Sequence, residues 1–274
     1  MNLLVEPDGT DRLVTIRHLD WDLSWRLQFP EVIMSTAGSI MAWPLNCKPE
    51  WEQLDNGAWG YTWRPSSSYI ESVRSLEIVD TNGIPQHRRF VRGLELRAEI
   101  RPGNDSLDLT ISLVNDSEEP VTDVYCDGGC LQAKNDAFTG ADEVGRSHVM
   151  VDGVMCSMAT LPRSVDIRCM YCHTQELYDG KDEWFWGRST TSIDSPAIVG
   201  AVSSDRTKAI TFGYENSNSC LANSDEHHCL HSRPWFGKIN SGERISHKGY
   251  ILFGTDMQEL ADKLKVKLAA NQAS

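Results

Sequence analysis

This sequence lacks any long apolar run, and it lacks an excess of positive charge. No stretch approaches the roughly 20 consecutive apolar residues that a membrane-spanning helix requires. Lys and Arg number 26 against 39 Asp and Glu, which gives a formal net charge of −13. Such an acidic chain is poorly suited to nucleic-acid phosphates or to an anionic membrane surface, because both attract clustered cations. We therefore expect neither a nucleic acid nor a membrane as partner.

The first residues, MNLLVEPD, have neither the positively charged segment nor the apolar core of a secretory signal peptide. Eight cysteines are present, but a chain of 274 residues is large enough to bury a core without disulfides. We expect reduced thiols and a cytoplasmic location, or else an exported protein that has already lost its signal. The sequence also lacks the G-x-S-x-G, P-loop and H-E-x-x-H motifs, which disfavours the enzyme classes that depend on them.

A β-hairpin is the clearest local signal that is present. Apolar residues alternate with charged or polar ones from Leu94 to Arg101 and again from Leu107 to Leu113, and Pro102–Asp105 between them has the composition of a turn. A period of two predicts strands with one buried and one solvated face. Further short strands are predicted at 12–17, 69–79, 146–151, 164–172, 197–203, 208–214 and 245–253.

A single helix is predicted at the C-terminus, over residues 255–270. Its apolar residues recur at helical spacing: Met257, Leu260, Ala261, Leu264 and Leu268. Thr255 is the predicted N-cap, and Gln258 three residues later completes a capping box.

Many short strands without an alternating βαβ pattern predict an all-β fold. We expect a large two-sheet antiparallel β-sandwich, supersandwich-like in size, with the C-terminal α-helix packed on it. The sequence shows no internal repeat and no obvious linker, so residues 1–274 are predicted to form one domain.

The order of these signals resembles that of the galactose mutarotase-like β-sandwiches, which occur in sugar epimerases, polysaccharide lyases and accessory domains of glycoside hydrolases. The resemblance runs from Gly93 to Phe253 and includes the strand Leu107–Val114, the paired strands of 197–213, the segment Cys229–Pro234 and the turn Asn240–Glu243. A similar Cys-Leu-His-Ser stretch occurs in uncharacterised bacterial proteins. The resemblance implies action on a carbohydrate by a His acid with a Glu or Asp base on the concave sheet, without assigning those roles to particular residues here.

Two histidines are candidates for the acid and two carboxylates for the base. His231 lies in the densest cluster of titratable side chains, and His87 follows a turn and precedes two arginines. Glu215 ends a predicted strand, where side chains open into loops. Asp127 lies at a predicted strand end, before Gly128 and Gly129.

Arginines and tryptophans are the candidates for substrate binding. Guanidinium groups hold carboxylates in a bidentate manner, which suits a uronic acid, and indole rings stack on the C–H faces of sugars. The arginines are Arg88, Arg89 and Arg233, and alternation along a strand directs Arg88 and Arg89 to opposite faces. The tryptophans are Trp184, Trp186 and Trp235, which lie in loop-like sequence.

A metal site is an alternative interpretation of the histidine cluster. Imidazole and thiolate ligands from His228, Cys229 and His231 are the donors that a divalent transition metal prefers. A second segment would have to contribute, either Cys126 and Cys130 or Cys169 and Cys172. If 228–231 is a strand, Cys229 and His231 share one face and His228 lies on the other.

The leading hypothesis is a carbohydrate-active enzyme of the epimerase, lyase or hydrolase class that needs no cofactor and uses general acid–base catalysis on a sugar or uronide in a cleft of the concave sheet. A non-catalytic carbohydrate-binding or accessory protein is the second hypothesis, since it needs the aromatic residues but no paired acid and base. A Cys/His metalloprotein is the third.

Overall fold

The computed structural model describes residues 2–9, 11–35, 38–41, 49–66, 78–79, 85–86, 93–140, 143–162, 169–174, 187–223 and 228–272. Within these ranges the chain forms two large β-sheets, a two-stranded sheet and a C-terminal helix. This arrangement confirms the predicted all-β sandwich with a C-terminal helix.

The larger sheet contains eleven described strands: Leu3–Pro7 (β1), Leu13–His18 (β2), Leu23–Gln28 (β3), Val32–Ser35 (β4), Gly38–Met41 (β5), Val121–Asp127 (β12), Cys130–Ala133 (β13), Cys169–His173 (β16), Gly187–Arg188 (β17), Ser217–Asn223 (β20) and Cys229–Ile239 (β21). Their order is β1-β2-β3-β13-β21-β12-β4-β5, and β20, β16 and β17 continue from β21. Pairing is antiparallel except between β16 and β17.

The smaller sheet contains nine described strands: Glu52–Gln53 (β6), Trp59–Trp63 (β7), Leu94–Pro102 (β10), Ser106–Asn115 (β11), Ser147–Val151 (β14), Val154–Ser157 (β15), Ile198–Val202 (β18), Ala209–Tyr214 (β19) and Arg244–Gly254 (β22). Their order is β15-β14-β18-β19-β22-β11-β10-β7-β6. Ile78–Val79 (β8) and Pro85–Gln86 (β9) pair with each other. The short helices are Glu143–Arg146 (α1) and a 3-10 turn at Met158–Thr160.

The predicted hairpin is confirmed as β10 and β11. Ala98 pairs with Ile111 in its antiparallel register, and apolar side chains of both strands are buried. The register places the apolar alternation on the face that packs against the larger sheet. Both strands lie in the interior of the smaller sheet, because β7 and β22 flank them.

The core lies between the two sheets and is built from the inward side chains of both. Trp25 of the larger sheet packs edge-on against Phe253 of the smaller sheet, with ring centroids 5.1 Å apart. Leu230 and Phe236 of β21 belong to the same buried cluster. Because side chains alternate along a strand, the odd-numbered residues of β21 near its start point away from this core.

Two tyrosine hydroxyls tie the sheets together near the edge of the core. Tyr61 of β7 donates a hydrogen bond to the carbonyl of Phe29 at 2.7 Å, and Tyr214 of β19 donates one to the carbonyl of Gly128 at 2.8 Å. Both carbonyls belong to connections of the larger sheet. These bonds fix the chain where β3 continues towards β4 and where β12 continues into β13.

The C-terminal helix, Met257–Gln272 (α2), packs on the outer face of the smaller sheet through Leu260, Ala261 and Leu264. The prediction that Thr255 is its N-cap is wrong. The side chain of Asp256 accepts the amide of Glu259 at 2.9 Å, and the Asp256 carbonyl accepts the amide of Leu260. Asp256 is therefore the N-cap, and its carboxylate satisfies one of the free amides of the first turn. None of the described helices is long and apolar enough to cross a membrane.

Candidate functional site

Strand β21 carries the candidate side chains on its outer face. Cys229, His231, Arg233 and Trp235 are two residues apart and point away from the core, whereas the alternating residues between them point inward. The prediction that Cys229 and His231 share one face is confirmed. Sγ of Cys229 lies 3.0 Å from Nε2 of His231.

The neighbouring strand β13 adds a second thiol to this face. Cys130 pairs directly with His231 across the antiparallel register. The donor atoms of Cys130, Cys229 and His231 all lie within 4.8 Å of one another, and all three residues are buried. The amide of Gln132, two residues further along β13, donates a hydrogen bond to Sγ of Cys130 at 3.3 Å.

Glu31 approaches the opposite nitrogen of the same imidazole. Its Oε2 lies 3.0 Å from Nδ1 of His231. The backbone holds it there, because the amide of Glu31 donates to the carbonyl of Asp127 at 3.0 Å and the buried guanidinium of Arg12 donates to the carbonyls of Pro30 and Glu31. The backbone of Glu31 is therefore held directly before β4.

A second carboxylate lies beside this pair. Oxygen atoms of Glu31 and Asp127 and a ring nitrogen of His231 lie within 4.8 Å of one another. Asp127 is paired with Arg233, whose Nε lies 2.7 Å from its Oδ1. The structure thus brings together His231, Asp127 and Arg233, three of the residues singled out from the sequence.

Aromatic rings surround the guanidinium of Arg233. Its central carbon lies 4.8 Å from the ring centroid of Tyr125 and 5.4 Å from that of Tyr171. Tyr125 is also stacked parallel to Trp235, at a centroid distance of 6.4 Å. Flat rings and a cation in this arrangement provide cation–π contacts and a partly exposed aromatic surface.

The electrostatic surroundings of His231 favour its protonated form. Burial lowers the pKa of the imidazole, but the negative charges of Cys130 and Glu31, together with hydrogen bonds to both, raise it well above 6.5. The pKa of Arg233 is also raised, because the attraction of Asp127 and the two tyrosines outweighs the cost of burial. The site therefore pairs buried cations with buried anions.

The structure separates His228 from the two residues expected to share a metal with it. His228 precedes β21, and its Nε2 lies 3.4 Å from the hydroxyl of Ser147 in the smaller sheet. Burial, together with the charge of Arg146, lowers the pKa of His228 to about 4. His228 therefore does not join Cys229 and His231, because alternation turns it inward, and the thiol that does approach them is that of Cys130.

Glu215 is placed in a different group from His231. Its carboxylate lies 3.4 Å from Nδ1 of His247 and accepts the amide of Lys248. His247 packs edge-on against Phe236, an inward residue of β21. Glu215 therefore lies on the side of β21 that faces the core, whereas His231 lies on the outer side of the same strand.

Five of the residues proposed from the sequence, His87, Arg88, Arg89, Trp184 and Trp186, lie outside the described residues. Three residues that sequence reasoning did not select lie at or beside the site: Glu31, Tyr125 and Tyr171. Glu31 has no distinctive pattern around it, and only the pairing of β4 with β12 reveals its position. Tyr171 lies between Cys169 and Cys172 on β16, where strand alternation directs it to the face opposite the buried Cys172.

Two cavities lined by described residues lie away from this site. A groove of about 680 Å³ runs between α2 and the end of β22, lined in part by Asp105, Phe253 and Val266. A smaller cavity of about 290 Å³ lies beside His18 and Leu23. Neither contains any of the candidate residues.

No family model matches this chain. No curated protein matches it in sequence either. Similar solved structures include the Slr1438 protein from Synechocystis sp. PCC 6803, which is 11% identical, with 93% of this chain and 96% of that chain covered and a TM-score of 0.48. A putative aldose 1-epimerase from Escherichia coli K12 is 9% identical, with coverages of 93% and 99% and a TM-score of 0.46.

A galactose mutarotase-like protein from Lactobacillus casei ATCC 334 is also similar. It is 8% identical, with 92% of this chain and 99% of that chain covered and a TM-score of 0.48. At these identities and TM-scores the similar structures carry no argument about the chemistry of the site.

Proposed function

We propose that this protein acts on a carbohydrate by general acid–base catalysis at the outer face of the larger sheet. The observation that carries the proposal is the contact between Glu31 and His231. Oε2 of Glu31 lies 3.0 Å from Nδ1 of His231, and a carboxylate oxygen of Asp127 lies within 4.8 Å of both groups. A carboxylate and an imidazole at this distance exchange a proton readily. Such a pair can therefore give a proton to, or take one from, an oxygen or carbon of a sugar.

Exposure divides the roles within this pair. The side chain of Glu31 is 21% exposed and that of His231 is 6% exposed. Glu31 is therefore the group that meets the substrate, and His231 is the buried partner that supplies or takes the proton. The acid role that the sequence assigned to His231 is then exerted through Glu31.

Asp127 and Arg233 form the second half of the proposed site. Because Arg233 already neutralises Asp127 at 2.7 Å, this carboxylate serves better to orient the guanidinium and a sugar hydroxyl than to abstract a proton. Glu215 lies beside His247, so it is not part of this proposal.

Sugar specificity is proposed to come from the aromatic residues around Arg233. The stacked pair of Tyr125 and Trp235 offers a flat surface for the C–H face of a pyranose, and the cation nearby suits a uronic acid. Arg88, Arg89, Trp184, Trp186 and His87 remain sequence-based predictions for the same substrate.

The test is a panel of glucose, galactose, glucuronate, galacturonate and their polymers. Three readouts separate the reaction classes: anomer exchange by NMR for an epimerase, absorbance of an unsaturated uronide for a lyase, and release of reducing ends for a hydrolase. For any substrate that turns over, we expect Glu31→Gln to lower kcat by about 100-fold or more with binding retained. Glu99→Gln, an exposed carboxylate of β10 in the smaller sheet, is the matched control and should be unchanged.

Three results would count against the proposal. Saturable binding of a sugar without turnover in any readout would favour a carbohydrate-binding module. Turnover that is unaffected by Glu31→Gln would remove Glu31 from the chemistry. The absence of both binding and turnover across the whole panel would overturn the carbohydrate assignment itself.

A further inference from the structure

Two thiols and one imidazole converge at the buried end of the site, on the side of His231 that faces away from Glu31. They are Cys130 of β13 and Cys229 and His231 of β21. Their donor atoms lie within 4.8 Å of one another, and the Cys229 Sγ to His231 Nε2 distance is 3.0 Å. We propose that Cys130, Cys229 and His231 bind a single zinc-like divalent transition metal ion.

The fold determines this convergence in two steps. Residues two apart on a strand point to the same face, which brings Cys229 beside His231. The register of β13 against β21 then places Cys130 directly opposite His231. No flexible segment has to move, because all three ligands belong to paired strands.

The donor set and its spacing match those of known zinc chemistry. Zinc binds thiolate sulfur at about 2.3 Å and imidazole nitrogen at about 2.0–2.1 Å, so neighbouring donors in a tetrahedral site are roughly 3.5–4 Å apart. The three donor atoms lie within 4.8 Å of one another, and Sγ of Cys229 is 3.0 Å from Nε2 of His231, so small side-chain movements bring them to these separations. Two Cys and one His are a set that leaves a fourth position for water or another ligand.

Charge balance fits a buried site. When the metal binds, the two sulfurs and Nε2 of His231 give up their protons to solvent, and the two thiolates neutralise one divalent cation. Cys130 and Cys229 are 2% and 0% exposed. A neutral cluster avoids the cost of burying an uncompensated charge at this position.

Groups around the three ligands orient them as in established metal sites. Metal-binding histidines usually donate their second ring N–H to a carboxylate, and Glu31 lies 3.0 Å from Nδ1 of His231. The Gln132 amide donates to Sγ of Cys130, a contact that stabilises a thiolate. Both contacts are compatible with Nε2 and the two sulfurs lying within 4.8 Å of one another.

The carboxylate side of the imidazole is the less suitable position for a cation. Glu31, Asp127 and His231 also place three donor atoms within 4.8 Å. However, the guanidinium of Arg233 already occupies Asp127 and would repel a metal ion there. Metal at Nε2 leaves the contact between Nδ1 and Glu31 intact, so the inference stands whether or not the proposed carbohydrate activity is correct.

Cobalt is the probe, because a Co²⁺ ion bound by thiolate gives a sulfur-to-metal charge-transfer absorption together with visible ligand-field bands. Reduced, chelator-treated full-length protein is titrated with Co²⁺ and then with Zn²⁺. We expect saturation at one ion per chain, both absorption signals, and their loss as Zn²⁺ displaces Co²⁺. Zn²⁺ should also raise the Tm, because it binds the folded state.

Single cysteine variants locate the site. Cys130→Ser and Cys229→Ser should each weaken cobalt binding by about 100-fold or more and abolish the Tm increase with Zn²⁺. Cys156→Ser is the matched control, since this partly exposed cysteine lies on β15 in the smaller sheet and should bind as the wild type does. Circular dichroism of each metal-free variant verifies that it is folded.

Several outcomes would overturn the inference. These are the absence of the charge-transfer band in reduced wild-type protein, equal affinity in Cys229→Ser, and binding of Mn²⁺ or Mg²⁺ alone without a thiolate signature. A Cys130–Cys229 disulfide mapped by mass spectrometry, with no metal binding after its reduction, would assign the pair to redox chemistry instead. By contrast, saturation with one Co²⁺ ion per chain in Glu31→Gln, together with loss of sugar turnover, would support the metal site and separate it from the proposed reaction.

Discussion

The hydroxyl of Tyr214 donates a hydrogen bond to the carbonyl of Gly128 across the two sheets, at 2.8 Å. Gly128 lies between the two residues that the larger sheet contributes at this point, Asp127 and Cys130. A Cβ at position 128 would lie 2.4 Å from Cε2 of Tyr214, so only glycine allows this approach. Packing in the core of the sandwich thus positions the segment from Asp127 to Cys130, which contributes two residues to the site.

Gly128→Ala is expected to lower the free energy of unfolding by about 2 kcal/mol, because the added methyl group overpacks a buried ring. Denaturant unfolding measures the change. Gly9→Ala is the control, since nothing lies within 4 Å of its Cβ position, and it should stay within about 0.5 kcal/mol of the wild type. Equal stability of the two variants would show that the Tyr214 ring does not restrict position 128.

The ion pair between Arg233 and Asp127 is expected to be essential for stability because both partners are largely buried. Arg233→Met leaves Asp127 without its cation and should cost about 3–5 kcal/mol of unfolding free energy. The double variant Arg233→Met/Asp127→Leu should recover part of this loss, since it removes the unpaired charge.

An exposed ion pair provides the comparison for Arg233. Arg101 lies 2.8 Å from Asp108 on the smaller sheet, and both side chains are solvent-accessible. Arg101→Met should therefore cost less than about 1 kcal/mol. If the two arginine variants prove equally stable in urea unfolding, burial does not determine the contribution of the Arg233 pair.

The strands and the helix could be predicted because their patterns are local. The alternation from Leu94 to Leu113 defines both strands of the hairpin and their buried faces, and the apolar stripe from Met257 to Leu268 defines α2. The same alternation predicts that Cys229 and His231 share a face.

The partners of His231 could not be predicted, because they depend on register between distant segments. Cys130 reaches His231 through the pairing of β13 with β21, and Glu31 arrives from a connection held by Arg12. Nothing in the sequence around Glu31 distinguishes it from other acidic residues near strands. Glu215 is a second example. Its position at a predicted strand end gave no information about which side of the sheet its side chain faces.

The finding that Asp256, and not Thr255, is the N-cap of α2 can be tested. Asp256→Ala should lower the unfolding free energy by about 1 kcal/mol, because its carboxylate caps the Glu259 amide at 2.9 Å. Thr255→Ala should stay within about 0.5 kcal/mol of the wild type. A larger loss from Thr255→Ala than from Asp256→Ala, measured by thermal or urea unfolding, would restore the capping role predicted for Thr255.

His148 is expected to make folding stability depend on pH. Burial is the main cause that lowers its pKa below 6.5, with the charge of Arg206 acting in the same direction and the hydrogen bond to the Arg146 carbonyl opposing it. Below about pH 6.5 the unfolded chain therefore binds a proton at this residue that the folded chain resists. The contribution of neutral His148 is fully present above that pH and is lost as the pH falls towards the folded-state value.

His148→Gln removes this titration and keeps a polar side chain of similar size. The difference in unfolding free energy between wild type and variant is measured in urea at about pH 8 and about pH 5. We expect the variant to gain relative to the wild type at the lower pH. His18 and His228, whose pKa values are also lowered, are present in both proteins and cancel in the difference. A difference that does not change with pH would mean that His148 takes up a proton equally in the folded and unfolded chains.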